Sequence, residues 1–189
     1  MARAKRQTKQ QKIDADKITE KNIKAKIEAC LAKGSKDAIA ALYEKVRARK
    51  KQKPLINKLR KQHYEFIFPQ AKPGDLDRVN LREIWIDAYV KLGRMPSYRV
   101  IKSLQDKGYL ESALSYIQLS KIGTKGFQDL KKKGIIFLTD EFIAFNFYTD
   151  KLTPKQIAKI FDKIYNTKTN EKEILSKFEI YKRYPPSFI

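Results

Sequence analysis

Nine cations stand between residues 45 and 61 (Lys45, Arg47, Arg49, Lys50, Lys51, Lys53, Lys58, Arg60 and Lys61), and no Asp or Glu follows until Glu65. Side chains of this type and density suit one task above others. They replace the counterions condensed around a phosphate backbone, which gives affinity without regard to base sequence. The whole 189-residue chain shares the bias: 42 Lys and Arg against 21 Asp and Glu leave a formal charge of +21 and a pI near 9.9. An excess of that size repels itself in a compact body and calls for a polyanion, of which nucleic acid is the commonest. Reactive groups are scarce by comparison. Cys30 is the only Cys and His63 the only His, which excludes an internal disulfide, a multi-Cys zinc site and a paired-His metal motif. No glycine-rich phosphate loop is present. Asp75 with Asp77 and Asp140 with Glu141 could in principle serve a two-metal nuclease, but both pairs fall where the sequence reads as turn, and acids are ordinary turn residues. Cys30 reads as a core residue, and His63 as a phosphate contact or surface residue. A protein without catalysis, cofactor or metal is expected.

Helical periodicity positions these groups. Ile23, Ile27, Cys30 and Leu31 predict one helix that Gly34 ends; Ile39, Leu42, Tyr43 and Val46 predict a second behind Ser35 as N-cap. Pro54 marks a new helix start. Pro69, Pro73 and Gly74 suggest a linker. Asn80 and Glu83 have capping-box spacing before a stripe of Leu81, Ile84, Trp85, Ala88, Tyr89 and Leu92 that Gly93 stops. Further helices are expected after Ser97 and over 110–117 and 120–133. The apolar run Ile135-Ile136-Phe137-Leu138, the polar Thr139-Asp140-Glu141 and the apolar 142–148 then read as a β-hairpin. Its aromatic residues Phe142, Phe145, Phe147 and Tyr148 fit core packing better than a base-stacking platform. Thr153, Pro154 and Gln156 open another helix, with Lys155, Lys159 and Lys163 reading as a solvated stripe.

Within 110–131, Ala113 permits close helix packing, Ile117 ends a helix, Leu119 and Ser120 form a turn and cap, and Phe127 and Leu130 anchor a second helix. This arrangement resembles a helix-turn-helix, and the following hairpin extends the resemblance to a winged helix. The fold class expected is mainly α with a small β-hairpin: a helical N-terminal part plus a winged-helix-like C-terminal part. The divisions are a basic flexible arm (1–18), a basic helical region (19–66), a linker (67–79), a winged-helix-like domain (80–166) and a C-terminal helix and tail (167–189). The resemblance implies that Lys121, Thr124, Lys125 and Gln128 face a major groove while Lys131, Lys132 and Lys133 reach phosphates. It is similar to DNA-binding proteins of phage and plasmid replication, segregation or packaging, small terminase subunits among them, and so implies an oligomer or larger assembly. The expected partner is nucleic acid, DNA ahead of RNA. With no apolar run of membrane-spanning length and no apolar segment behind the basic N-terminus, neither a membrane partner nor a secretory or mitochondrial leader is expected, and the place of action is the cytoplasm or a virion. An RNA-binding or ribosome-associated role, and a virion or complex assembly role, stay open as alternatives.

Overall fold

The computed structural model describes residues 22–49, 52–119 and 124–165, and divides the chain into two compact units, 1–66 and 67–189. In the first, α1 (Ile23–Lys33) and α2 (Lys36–Val46) pack as a hairpin, and α3 (Lys53–Ile67) runs to the boundary. Gly34 makes the turn between α1 and α2 with a φ of 63°, its N–H returning to the Cys30 carbonyl. Left-handed backbone of this kind is where Gly is favoured. Ser35 occupies the N-cap position of α2 without a side-chain cap bond. Ile23, Ile27, Ile39, Val46, Ile56 and Leu59 are sealed from solvent. Each buried aliphatic side chain of this size contributes about 1.5–3 kcal/mol against exposure.

The second unit begins with residues 67–79, which the sequence marks as a linker and which lie tied to the helices after them. The Tyr109 hydroxyl and Arg82 Nε both donate to the Pro69 carbonyl, at 2.7 and 3.0 Å. Asp75 is buried in the 3-10 turn Pro73–Asp75 and accepts from Lys72 N at 2.9 Å and Leu110 N at 2.8 Å. The second bond satisfies a donor that opens α6 (Tyr109–Leu119), because the first N–H groups of a helix have no intrahelical partner. Between α5 (Tyr98–Lys107) and α6 stands Gly108, with φ 87° and ψ 178°; a Cβ there would lie 3.0 Å from Asp75 Oδ2. Only Gly meets both the dihedral and the approach. Ahead of α5, α4 (Leu81–Leu92) is capped by Asn80, whose Oδ1 accepts from Glu83 N.

Among the described residues there is no strand, and the expected hairpin is overturned. After α7 (Lys125–Lys132), Ile136–Leu138 is a 3-10 turn and Asp140–Phe147 is α8. The expected polar turn Thr139-Asp140-Glu141 is a helix start: the Thr139 hydroxyl accepts from Phe142 N at 3.2 Å, and Asp140 and Glu141 fill the first turn. The apolar run 142–145 behind them reads as strand because consecutive apolar residues show no helical period, although Asn146 and Phe147 at the end of α8 are exposed. α8 packs against α6, against α9 (Pro154–Tyr165) and against the flanking 3-10 turns, and Ala144, Phe145, Ile160, Phe161 and Ile117 form one core cluster. Without a hairpin there is no wing, so the C-terminal unit is a helical assembly and not a winged helix. Thr153 and Gln156 cap α9 reciprocally, each side chain accepting from the other's backbone N–H. No helix among the described residues is long and apolar enough to cross a membrane.

Candidate functional site

The basic run is divided by the structure into surface and scaffold. Lys45, Arg47, Lys53 and Lys58 are exposed, and Arg49 and Lys61 are half-buried. Arg47 pairs with Glu44 at 3.0 Å in an exposed ion pair. Arg60 has a structural duty. Its Nε donates to the Tyr43 hydroxyl at 2.8 Å, its Nη1 donates to Asn57 Oδ1, and its guanidinium lies 5.6 Å from the centre of the Tyr43 ring. That stacked, bonded arrangement clamps α3 to α2. His63 is likewise interior, against Tyr43 and Tyr64, and burial pulls its pKa down. Lys50 and Lys51 lie outside the described residues, as do the expected N-terminal arm and the expected C-terminal helix and tail.

The groove-facing set divides in the same way. Lys121 and the turn residue Ser120 lie outside the described residues. Thr124 is the N-cap of α7, its hydroxyl accepting from Phe127 N at 3.1 Å. Lys125, Gln128, Lys132 and Lys133 are exposed, and the first three, at i, i+3 and i+7, share one face. Lys131 turns inward: its Nζ donates to the Lys163 carbonyl near the end of α9 and lies 5.6 Å from the centre of the Phe127 ring, and burial lowers its pKa. The two helices of the resemblance are held chiefly by other neighbours, α6 by α5, α8 and α9, and α7 by α4 and the turn Ile136–Leu138. Ala113 and Ile117 are buried on α6, and Phe127 and Leu130 on α7.

One arrangement has no counterpart in the sequence reading. A cavity of about 450 Å³ opens in the second unit between Trp85, Tyr89, Tyr116, Phe127, Arg94 and the acids Asp140 and Glu141, within the roughly 300–1,000 Å³ of small-molecule sites. Trp85 is only 6% exposed and lies 6.4 Å from Tyr89 and 6.2 Å from Tyr116 between ring centres, with its buried indole N–H set toward the Asp140 carboxyl. Burial, reinforced by neighbouring Glu141, pushes Asp140 up to about 8. Glu141 is also raised by burial, and its carboxylate stands 3.7 Å from Lys163 Nζ, with the two side chains 3% and 7% exposed. Lys163 therefore leaves the solvated stripe assigned to it, while Lys155 and Lys159 stay exposed; burial lowers its pKa. At the mouth, Arg94 pairs with Asp129 at 3.1 Å and leans over the start of α7, where a Cβ on Gly126 would meet its Nη2 at 3.5 Å. The signal for the acid pair lies in Thr139-Asp140-Glu141, an N-cap followed by first-turn acids, which the β-branched run before it masks. Among the described residues no cluster of His, Cys, Asp and Glu could hold a metal ion. No protein-family model, curated protein or solved structure matches this chain.

Proposed function

We propose that this chain binds nucleic acid and catalyses no reaction on it, with affinity supplied by phosphate contacts from the first unit. The observation that supports this reading is the exposure of Lys45, Lys53 and Lys58 on helices, or at their ends, within an acid-free run of nine cations. Presentation on α2 and α3, clamped by Arg60, spares these lysines the ordering cost that a disordered segment meets on binding. Duplex DNA is the expected form. Lys125, Gln128 and Lys132 along one face of α7 suit the wide major groove of B-DNA, whereas the major groove of duplex RNA is too narrow for side chains to read. Lysine and glutamine at these positions imply weak discrimination among sequences.

Anisotropy titrations against duplex DNA, single-stranded DNA and a structured RNA, each at several salt concentrations, test the reading. Lys45→Gln, Lys53→Gln and Lys58→Gln together should weaken binding to every sequence and reduce the log–log salt slope by about 3, near one unit per lost phosphate contact. Lys125→Ala with Gln128→Ala should change preference among sequences and leave most of that slope. Absence of binding at moderate salt, or indifference to both sets of changes, would overturn the reading.

A further inference from the structure

The cavity of the second unit combines features that backbone binding does not use: aromatic walls, an acid pair of which Glu141 is buried and Asp140 half-buried, and a cationic mouth at a helix start. We propose that it is a binding site for a nucleotide whose base carries an amino group beside a ring-nitrogen acceptor, as adenine and cytosine do. The base packs on Trp85, Tyr89 and Tyr116 with its edge toward Asp140, and the phosphate rests at Arg94 and the opening of α7.

The walls select a flat, polarisable ligand, because planar heteroaromatic rings stack on such side chains and every base has a π-face. The floor selects polarity. Trp85 Nε1 is a buried donor set toward the Asp140 carboxyl, and Glu141 Oε1 is held at 3.7 Å by Lys163 behind it, so Asp140 is the acid left to meet a ligand in the cavity. With Asp140 held up to about 8, its carboxyl is protonated at neutral pH and presents an O–H donor beside a C=O acceptor. That pair matches a ring nitrogen beside an exocyclic amine. Guanine offers two donors along the corresponding edge, which only an ionised carboxylate would accept in full. The groups around Asp140 are Glu141 on its own helix with Lys163 of α9 behind it, Trp85 and Tyr89 on α4, Tyr116 on α6, and Arg94 and Lys125 at the mouth. The mouth selects an anion: the Lys125 and Gly126 N–H groups open α7 without intrahelical partners, the helix dipole favours negative charge there, and the Arg94 guanidinium stands beside them. A free mononucleotide and an unstacked nucleotide in a strand share this chemistry.

Trp85 is the only Trp of the chain, so its fluorescence reports the cavity directly. AMP and CMP should quench or shift the emission saturably at pH 7, GMP and UMP at least tenfold more weakly, and inorganic phosphate and ribose 5-phosphate not at all. Binding of AMP should fade as pH rises through about 8. Asp140→Asn, whose amide keeps a donor and an acceptor, should retain AMP binding within a few-fold and abolish that fading. Asp140→Leu, with its helical circular dichroism checked, should lose AMP binding. Arg94→Ala should weaken AMP about tenfold and leave adenosine unchanged. A single-stranded oligo-dA that binds at least tenfold more tightly than AMP per site, with the same Asp140 dependence, identifies a strand as the source; the reverse identifies the free nucleotide. No fluorescence response to AMP at 10 mM, on the order of the weakest useful affinity, or an equal response to inorganic phosphate, would overturn the proposal. Because Trp85 reports this unit alone, such a failure leaves the salt-dependent binding attributed to the first unit standing, and the converse also holds.

Discussion

Residues 1–66 contain 20 Lys and Arg against 7 Asp and Glu, and residues 67–189 contain 22 against 14, yet it is the less basic unit that buries its ions. In the first unit the described lysines stay at or near the surface, and the described interior is aliphatic apart from Cys30 and the Tyr43, His63 and Tyr64 cluster beside Arg60. In the second, Asp75, Glu141 and Lys163 are enclosed. Surface charge of one sign costs a diffuse repulsion that salt screens, whereas an enclosed charge costs several kcal/mol unless paired or neutralised. The first arrangement suits a partner that arrives from outside, the second a group that enters.

The sharpest way to break this contrast is to remove one member of an ion pair in each unit. Lys163→Met leaves Glu141 buried with no cation, and we expect a loss of about 3 kcal/mol at pH 8, read by urea unfolding followed through Trp85. The loss should shrink at pH 5, because Glu141, already raised by burial, can then be neutralised by a proton. Arg47→Met breaks the exposed pair with Glu44 and should cost about 0.5 kcal/mol or less. Equal losses would mean that the enclosed pair contributes no more than a surface one.

A smaller effect separates two glycines. Gly108→Ala must adopt a conformation reserved for Gly and place its Cβ 3.0 Å from Asp75 Oδ2, so we expect a loss of about 3 kcal/mol. Gly34→Ala faces the left-handed penalty alone, since nothing lies within 4 Å, and should lose about 1 kcal/mol. Thermal unfolding by circular dichroism would rank them.

Those positions also mark how far the sequence can be read. Gly34, Gly93 and Gly108 each end a helix where periodicity stops, and Asn80, Ser97 and Thr153 each cap the helix that follows, because these signals act within four residues. The pin from Asp75 to Leu110 spans 35 residues, and no local pattern carries it. The region from 135 to 148 misleads for another reason: consecutive apolar residues hide the amphipathic period that distinguishes a helix from a strand, even though Asn146 and Phe147 at the end of α8 are exposed. In the basic run, exposed Lys58 and structural Arg60 stand two residues apart and look alike in sequence; which one faces Tyr43 is settled only by packing. The cavity gathers side chains from α4, α6, α7 and α8, so its existence depends on the tertiary arrangement that the hairpin reading excluded.

The two units should also respond to pH with opposite sign. Asp140 and Glu141 both have raised values when folded, so the stability their protonated forms provide is present below their ordinary carboxyl range and is lost as pH rises, for Asp140 through about 8. Lys163, lowered by burial, acts in the opposite sense, in the alkaline range below 10.5. The thermal midpoint read by Trp85 should therefore fall between pH 5 and 8. His63 is lowered from 6.5, burial outweighing Glu44, so the first unit keeps its contribution above 6.5 and loses it as pH drops through the folded value. Amide protection factors in α3 should decrease between pH 7 and 5. Slopes of the same sign in both units would contradict this assignment of interior charges.

The smallest expected effect bears most directly on why the lysines are there. Lys53 opens α3, whose first turn holds no acid, and a cation at a helix N-terminus opposes the dipole by about 0.3–1 kcal/mol at low salt. Lys53→Gln should therefore raise stability by a few tenths of a kcal/mol, measurable as a small upward shift in the thermal midpoint that vanishes in high salt. The same change should weaken binding to nucleic acid and remove about one unit of salt slope. A residue that destabilises its own helix and strengthens an external contact is what a binding surface requires. If Lys53→Gln instead lowered stability and left binding unchanged, the charge at the start of α3 would belong to the fold, and the first unit would resemble the second in using its cations inwardly.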